Sequence, residues 1–296
     1  MVSLVGVVLA VVAAICLAGQ ALTIRLATRR GRSNDVLLVV MLVNVVVFVP
    51  LAVVQPSNPN VTPVAVVAFV AAGIVGTILG RALFYAGIKS IGASRAEPIK
   101  ASMPLHATVL AVLFLGEVVT GLQLAGVALI VVGIALVSWE GSNADRIAGD
   151  GVPWTGLALP LAAAFFFGLE PIFATVGLAE GTPVIVGLTI KTVSALAVFV
   201  LYLGWRGSLP TRSGLPTGDV RWYVAAGLAS TGFLLAYYAA LEVSRVSVVV
   251  PIMQTSPLIV VLVSAALLHG VERVTPKLVA AAGIIVVGGI LVTLFG

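Results

Sequence analysis

The 296 residues are 60% hydrophobic and 9% charged, with a mean hydropathy of +1.21. A soluble chain of this length could not keep such a surface in water, so the composition excludes a soluble globular protein and calls for lipid as the solvent. A net charge of +5 would suggest phosphate contacts in a nucleic-acid binder, but here the basic residues cluster in short loops, where membrane orientation accounts for them.

Taken in chain order, the hydropathy predicts ten spans, near residues 3–24, 36–54, 63–88, 93–115, 119–138, 153–178, 183–204, 221–241, 245–268 and 274–295. The first lacks a basic leader and outruns a signal-peptide core of about 7–15 residues, so it reads as a first span. It holds the single cysteine, Cys16, which excludes an intramolecular disulfide or a cysteine-based zinc cluster. Turn chemistry separates the spans: Pro56-Ser57-Asn58-Pro59-Asn60 after the second, Gly92 after the third, Gly181-Thr182-Pro183 after the sixth. Residues 139–152 are polar and glycine-bearing and link a first half, 1–138, to a second, 153–296. The alternation of a membrane barrel is absent, and in lipid each backbone group must pair within its own segment, so the spans are helices.

The two halves repeat one pattern. Tyr85, Ser94, Pro98, Pro104 and Glu117 precede a Gly126/Gly133 span; Tyr238, Ser247, Pro251, Pro257 and Glu272 precede an Ala281/Gly288 span. The offset is 153 residues through the prolines and 155 after a two-residue insertion near His269. Five spans per half is an odd number, so the second copy enters the bilayer the other way up. The expected fold is an all-α polytopic membrane protein, ten transmembrane helices as two inverted five-helix repeats, the layout from which secondary transporters are built. The small-residue stripes let helices approach closely, either within one protomer or across a homodimer seam. Of 16 Lys and Arg, thirteen fall in odd-numbered loops, Arg81 and Lys191 lie within spans, and Arg245 alone lies on the opposite side. The positive-inside rule then puts the odd loops in the cytoplasm and both termini outside a plasma membrane.

This ordered set resembles the EamA-like branch of the ten-span drug/metabolite transporter superfamily. It is carried by Gly92-Ala93-Ser94, Pro98, Pro104, Leu115-Gly116-Glu117-Val118-Val119-Thr120, Gly126 and Gly133, with Ser247, Pro251, Pro257, Glu272-Arg273-Val274-Thr275 and Gly288 as the second copy. The resemblance implies a central cavity lined mainly by spans 1, 3, 4, 6, 8 and 9, with spans 5 and 10 peripheral, and a solute drawn from a wide range of metabolites and drugs. The uncharged start Met1-Val2-Ser3-Leu4 and the uncharged second loop depart from the family habit of a basic tail and a cytoplasmic amino terminus.

Ionisable groups inside spans ask for a partner or a wet cavity. Arg81 forms a stripe with Thr77 and Tyr85 and reads either as an anion ligand or as the partner of Glu97. Lys100 shares a face with Glu97, Pro104 and Thr108, and is either a cavity cation or a snorkelling interfacial residue. His106 reads as a hydrogen-bonded packing residue or a proton relay. Glu170, followed by Pro171, is a candidate for proton coupling or the partner of Lys191. Gln20, Gln254 and the Tyr237/Tyr238 pair offer hydrogen bonds to a solute, with Tyr85 and Tyr238 at equivalent repeat positions. Glu117 and Glu272 stand at helix starts, favoured by the dipole there.

No phosphate-binding loop, zinc motif or clustered acids are present, so no catalytic residue, metal or cofactor is expected. The expected function is a secondary transporter, an exporter or exchanger of a small polar metabolite such as an amino acid or other carboxylate, working by alternating access. The rivals are an exchanger of phosphorylated metabolites, a proton-coupled exporter of cationic drugs, and a non-transporting membrane scaffold.

Overall fold

A computed structural model describes residues 3–27, 33–55, 61–141, 154–207, 220–267 and 276–296. Among these residues every element is helical. Helices α1 (Leu4–Ala27) and α2 (Ser33–Val54) form spans one and two. Span three is one run of α3 (Pro63–Ala72), a π-helical stretch (Gly73–Gly80) and α4 (Arg81–Ile91). Thr62 starts it, its hydroxyl accepting from the Ala65 N–H at 3.1 Å with Pro63 at the first turn. Gly92 stops it at φ +81, a conformation that favours glycine.

Span four, expected as one helix, is α5 (Ala93–Lys100) and α6 (Met103–Leu115), broken at Ala101-Ser102. Span nine is likewise α11 (Val246–Met253) and α12 (Ser256–Leu267), broken at Gln254-Thr255. The cause is the same in both. Pro104 and Pro257 have no N–H for the carbonyls of Lys100 and Met253, so the chain makes one tighter turn there. The remaining helices are α7 (Gly121–Gly141), α8 (Trp154–Ala179), α9 (Val184–Trp205), α10 (Val220–Val243) and α13 (Pro276–Phe295). Among the described residues, seven helical runs are long and apolar enough to cross a bilayer, and three shorter apolar runs accompany them. Glu272, His269 and Arg146 lie outside the described residues.

Packing exchanges the halves. α1 packs on α10, α11 and α12, and its counterpart α8 packs on span three, α5 and α6. α2 packs on α9, and α7 on α13. In these last two pairs the repeat-equivalent helices run antiparallel. Gly126 faces Gly288 and Leu291 while Gly133, two turns on, faces Ile285 and Ala281. Phe48 of α2 accepts from the Thr189 hydroxyl, and Met41 packs near Phe199 and Leu203. The Gly126/Gly133 stripe is thus occupied within the protomer: a Cβ at Gly126 would lie 2.8 Å from the Gly288 carbonyl oxygen.

The π-helical stretch sets the depth at which span three meets spans six and seven. Gly73, Gly76 and Gly80 are buried; added Cβ atoms would lie 2.6 Å from the Lys191 carbonyl oxygen, 2.5 Å from Glu170 Cγ and 2.8 Å from the Phe167 ring. Only backbone fits there, so the widened turn brings bare main chain against the two charged residues of α8 and α9.

Candidate functional site

A cavity of about 610 Å³ lies between the two halves. Its lining begins at Leu17 on α1, Gly76 on span three, Ile134 on α7 and Met253 on span nine, and ends at Asn44 on α2, Met103 on span four and Glu170 on α8. On α1, α2, α7 and spans three, four and nine these limits run from mid-span toward the odd-numbered connections, whereas Phe167 and Glu170 on α8 and Ser230, Phe233, Leu234 and Tyr237 on α10 sit at mid-helix and a little beyond it. Toward the opposite ends the helices are packed.

That packed end is tied by polar bonds between the halves. Both carboxylate oxygens of Glu117 accept from the first N–H groups of α11, Val246 at 2.7 Å and Ser247 at 3.0 Å. Gln123, fully buried, donates to Ser247 Oγ at 3.1 Å. Arg245 donates to the Val118 carbonyl at 3.2 Å, and Thr120 to the Phe295 carbonyl at 2.9 Å. Glu117, expected to favour its own helix start, instead caps the broken span of the other half. A carboxylate between two unpaired N–H groups gains both charge-assisted bonds and a favourable dipole.

Of the nine expected site residues, Arg81, Tyr85, Lys100, Glu170, Lys191 and Gln254 line the cavity. Glu170 and Lys191 are 7% and 5% exposed and form an ion pair at 2.5 Å. Tyr238 donates to Glu170 Oε1 at 2.7 Å and Tyr237 to Oε2 at 3.3 Å. Lys191 Nζ stands 4.6 Å above the Tyr238 ring. Three donors therefore converge on one carboxylate. Lys100 pairs with Glu97 at 2.8 Å and lies 4.5 Å over the Phe84 ring. This overturns the Arg81–Glu97 pair, because one helical turn within α5 brings Lys100 closer than span three brings Arg81. Among the described residues Arg81 makes no ion pair.

Three expected residues are outside the lining. Gln20 is buried in α1, one position off the face that presents Leu17 and Ala21. His106 Nδ1 donates to the Ser102 carbonyl at 3.0 Å, and its ring meets Phe165 edge-on. Tyr238 is fully buried behind Tyr237, its hydroxyl drawn to Glu170, so the repeat equivalence with Tyr85 does not extend to exposure. The lining also takes in Asn44 and Ser230, hydrogen-bonded at 3.2 Å, with Thr231 donating to Asn44 at 2.9 Å. Asn44 had a signal in the sequence: it interrupts a valine run in span two. Spans two, five and seven line the cavity too, through Asn44, Ile134 and Lys191 among others, so the lining is wider than the resemblance implied. Span five reaches it because α7 packs on both α5 and α12.

The EamA-like transporter family matches this chain twice, over residues 4–139 and 154–294. The chain belongs to that family. Its helices and the family match together make it a multi-pass integral membrane protein of the transporter type. A solved structure described only as "Crystal structure of protein" superposes with a TM-score of 0.80 at 15% identity, covering 98% of this chain and 96% of its own. At that identity the likeness concerns the fold alone. No curated protein matches the chain. As an EamA-like protein, it carries its match in two copies, and the cavity lies where the copies meet.

Proposed function

We propose that this EamA-like protein is a secondary transporter of a small polar metabolite, an amino acid or other carboxylate, working by alternating access. The observation that carries the reading is a cavity that on most helices reaches from mid-span toward the odd-numbered connections, with the other end latched by Glu117 and its neighbours. Ten crossings, with the second half inverted, fit the antiparallel packing of α7 on α13 and of α2 on α9. Loop charge assigns the open side to the cytoplasm of a plasma membrane and both termini to the outside. In that orientation the cavity loads from the cytoplasm, which favours export or exchange. Arg81 supports an anionic group on the solute. Glu170, already accepting from Lys191, Tyr237 and Tyr238, is better suited to hold these helices in register than to carry a proton.

The test is counterflow in proteoliposomes loaded with candidate carboxylates and amino acids. Saturable uptake accelerated by solute on the far side is expected. Flux without saturation or counterflow would mean a channel, and no flux across the panel would favour the scaffold.

A further inference from the structure

The two walls of the cavity are related by the repeat but differ in charge. Through the 153-residue offset, Thr77 corresponds to Ser230, Arg81 to Leu234, Phe84 to Tyr237, Lys100 to Met253 and Ala101 to Gln254. Both members of each pair line the cavity. One backbone framework is therefore used twice around one space. On the first-half wall it presents Arg81, Glu97 and Lys100; on the second-half wall it presents Leu234, Met253 and, beside them, Phe233 and Gln254, none of them charged. Glu170 and Lys191 belong to the second half by sequence, yet they pack against the π-helical stretch of span three and so stand on the charged side.

The charges on that side nearly cancel. Lys191 is committed to Glu170 and Lys100 to Glu97. Among the described residues Arg81 is left without an ion-pair partner, and the lining holds one cation in excess. A charge inside a span is tolerated when something compensates it. A monoanion compensates Arg81. A phosphate dianion leaves one negative charge over, and a cation adds to the excess. A guanidinium binds a carboxylate through two parallel hydrogen bonds, and the facing wall offers apolar surface for whatever the carboxylate is attached to.

We propose that the cavity takes a monoanionic amphipath, its carboxylate on Arg81 and its apolar body against Phe233, Leu234 and Met253. The proposal rests on the cavity being the transported solute's site. A volume of about 610 Å³ suits a small molecule.

The experiment measures binding to the purified full-length protein by titration calorimetry at constant ionic strength. The probes are 4-phenylbutyrate, its amide, 4-phenylbutylamine, acetate and phenyl phosphate. The acid should bind at least 10-fold more tightly than each of the others. Arg81→Leu copies the residue at the equivalent place in the other half, and Arg81→Lys keeps the charge. The first should weaken the acid about 10- to 100-fold, as expected for lost charge-assisted bonds, and the second by less. Met253→Gln should weaken 4-phenylbutyrate and leave acetate unchanged. Preference for the amine or the phosphate, failure of the acid to bind at millimolar concentration, or an Arg81→Leu protein with unchanged melting and unchanged affinity would each overturn the proposal. Counterflow with the same probes separates the two readings. Binding of the acid without transport sinks the transporter and leaves the site assignment; transport of the amine does the reverse.

Discussion

Removing Lys191 while keeping Glu170 tests whether the buried pair holds spans six and seven to span eight. In Lys191→Met the Glu170 carboxylate keeps the bonds from Tyr238 at 2.7 Å and Tyr237 at 3.3 Å but loses its countercharge. At 7% exposure it has almost no water to replace it. Breaking one side of such a pair costs about 3–5 kcal/mol, whereas replacing both partners with groups of similar shape is close to neutral. With about 2.1 cal/mol/K of unfolding entropy per residue, 296 residues give roughly 1.6 °C per kcal/mol. The single variant should melt about 5–8 °C below the parent in detergent. Glu170→Gln alone should fall by a similar amount, since it leaves Lys191 buried and unpaired. The double variant Glu170→Gln/Lys191→Met should recover most of the loss, giving a coupling of about 4 kcal/mol or more in the cycle. Additive losses, with coupling below about 0.5 kcal/mol, would refute the reasoning and mean that water already reaches the pair through the cavity.

Glu117→Gln leaves one donor of the α11 first turn facing an amide. It should raise labelling of a cysteine at Ser247 from the closed side in a Cys16→Ser background; labelling equal to the parent would remove Glu117 from the latch. Gly76→Ala puts a Cβ 2.5 Å from Glu170 Cγ, so it should lower stability by about 1–3 kcal/mol by thermal melt, and an unchanged melt would mean α8 moves aside freely. Gly126→Leu should be worse than Gly121→Leu, because a Cβ at Gly126 meets the Gly288 carbonyl oxygen whereas one at Gly121 meets nothing within 4 Å; equal effects in detergent would contradict the α7–α13 contact. Thr62→Val loses the helix cap on Ala65 and the 2.7 Å bond to Glu180, and should cost about 1 kcal/mol without altering affinity for a cavity ligand.

The sequence by itself determined the solvent, the helical class and the repeat. These follow from quantities summed along the chain: long apolar runs can only be helices in lipid, and Tyr85/Tyr238, Pro98/Pro251 and Pro104/Pro257 are spaced alike whatever surrounds them. It also named most of the cavity's charged residues, because an ionisable group within an apolar run is visible without a structure. Tertiary structure decided who meets whom. Glu97 had Arg81 and Lys100 within plausible reach, and the pairing went to Lys100, one helical turn away within α5. Glu117 was legible as a helix-start carboxylate, but that it caps α11 depends on the other half lying beside it. Tyr85 and Tyr238 share a repeat position and differ in burial, since Glu170 accepts from only the second. Helix rotation and cross-repeat packing set each of these, and no pattern along a single span carries that information.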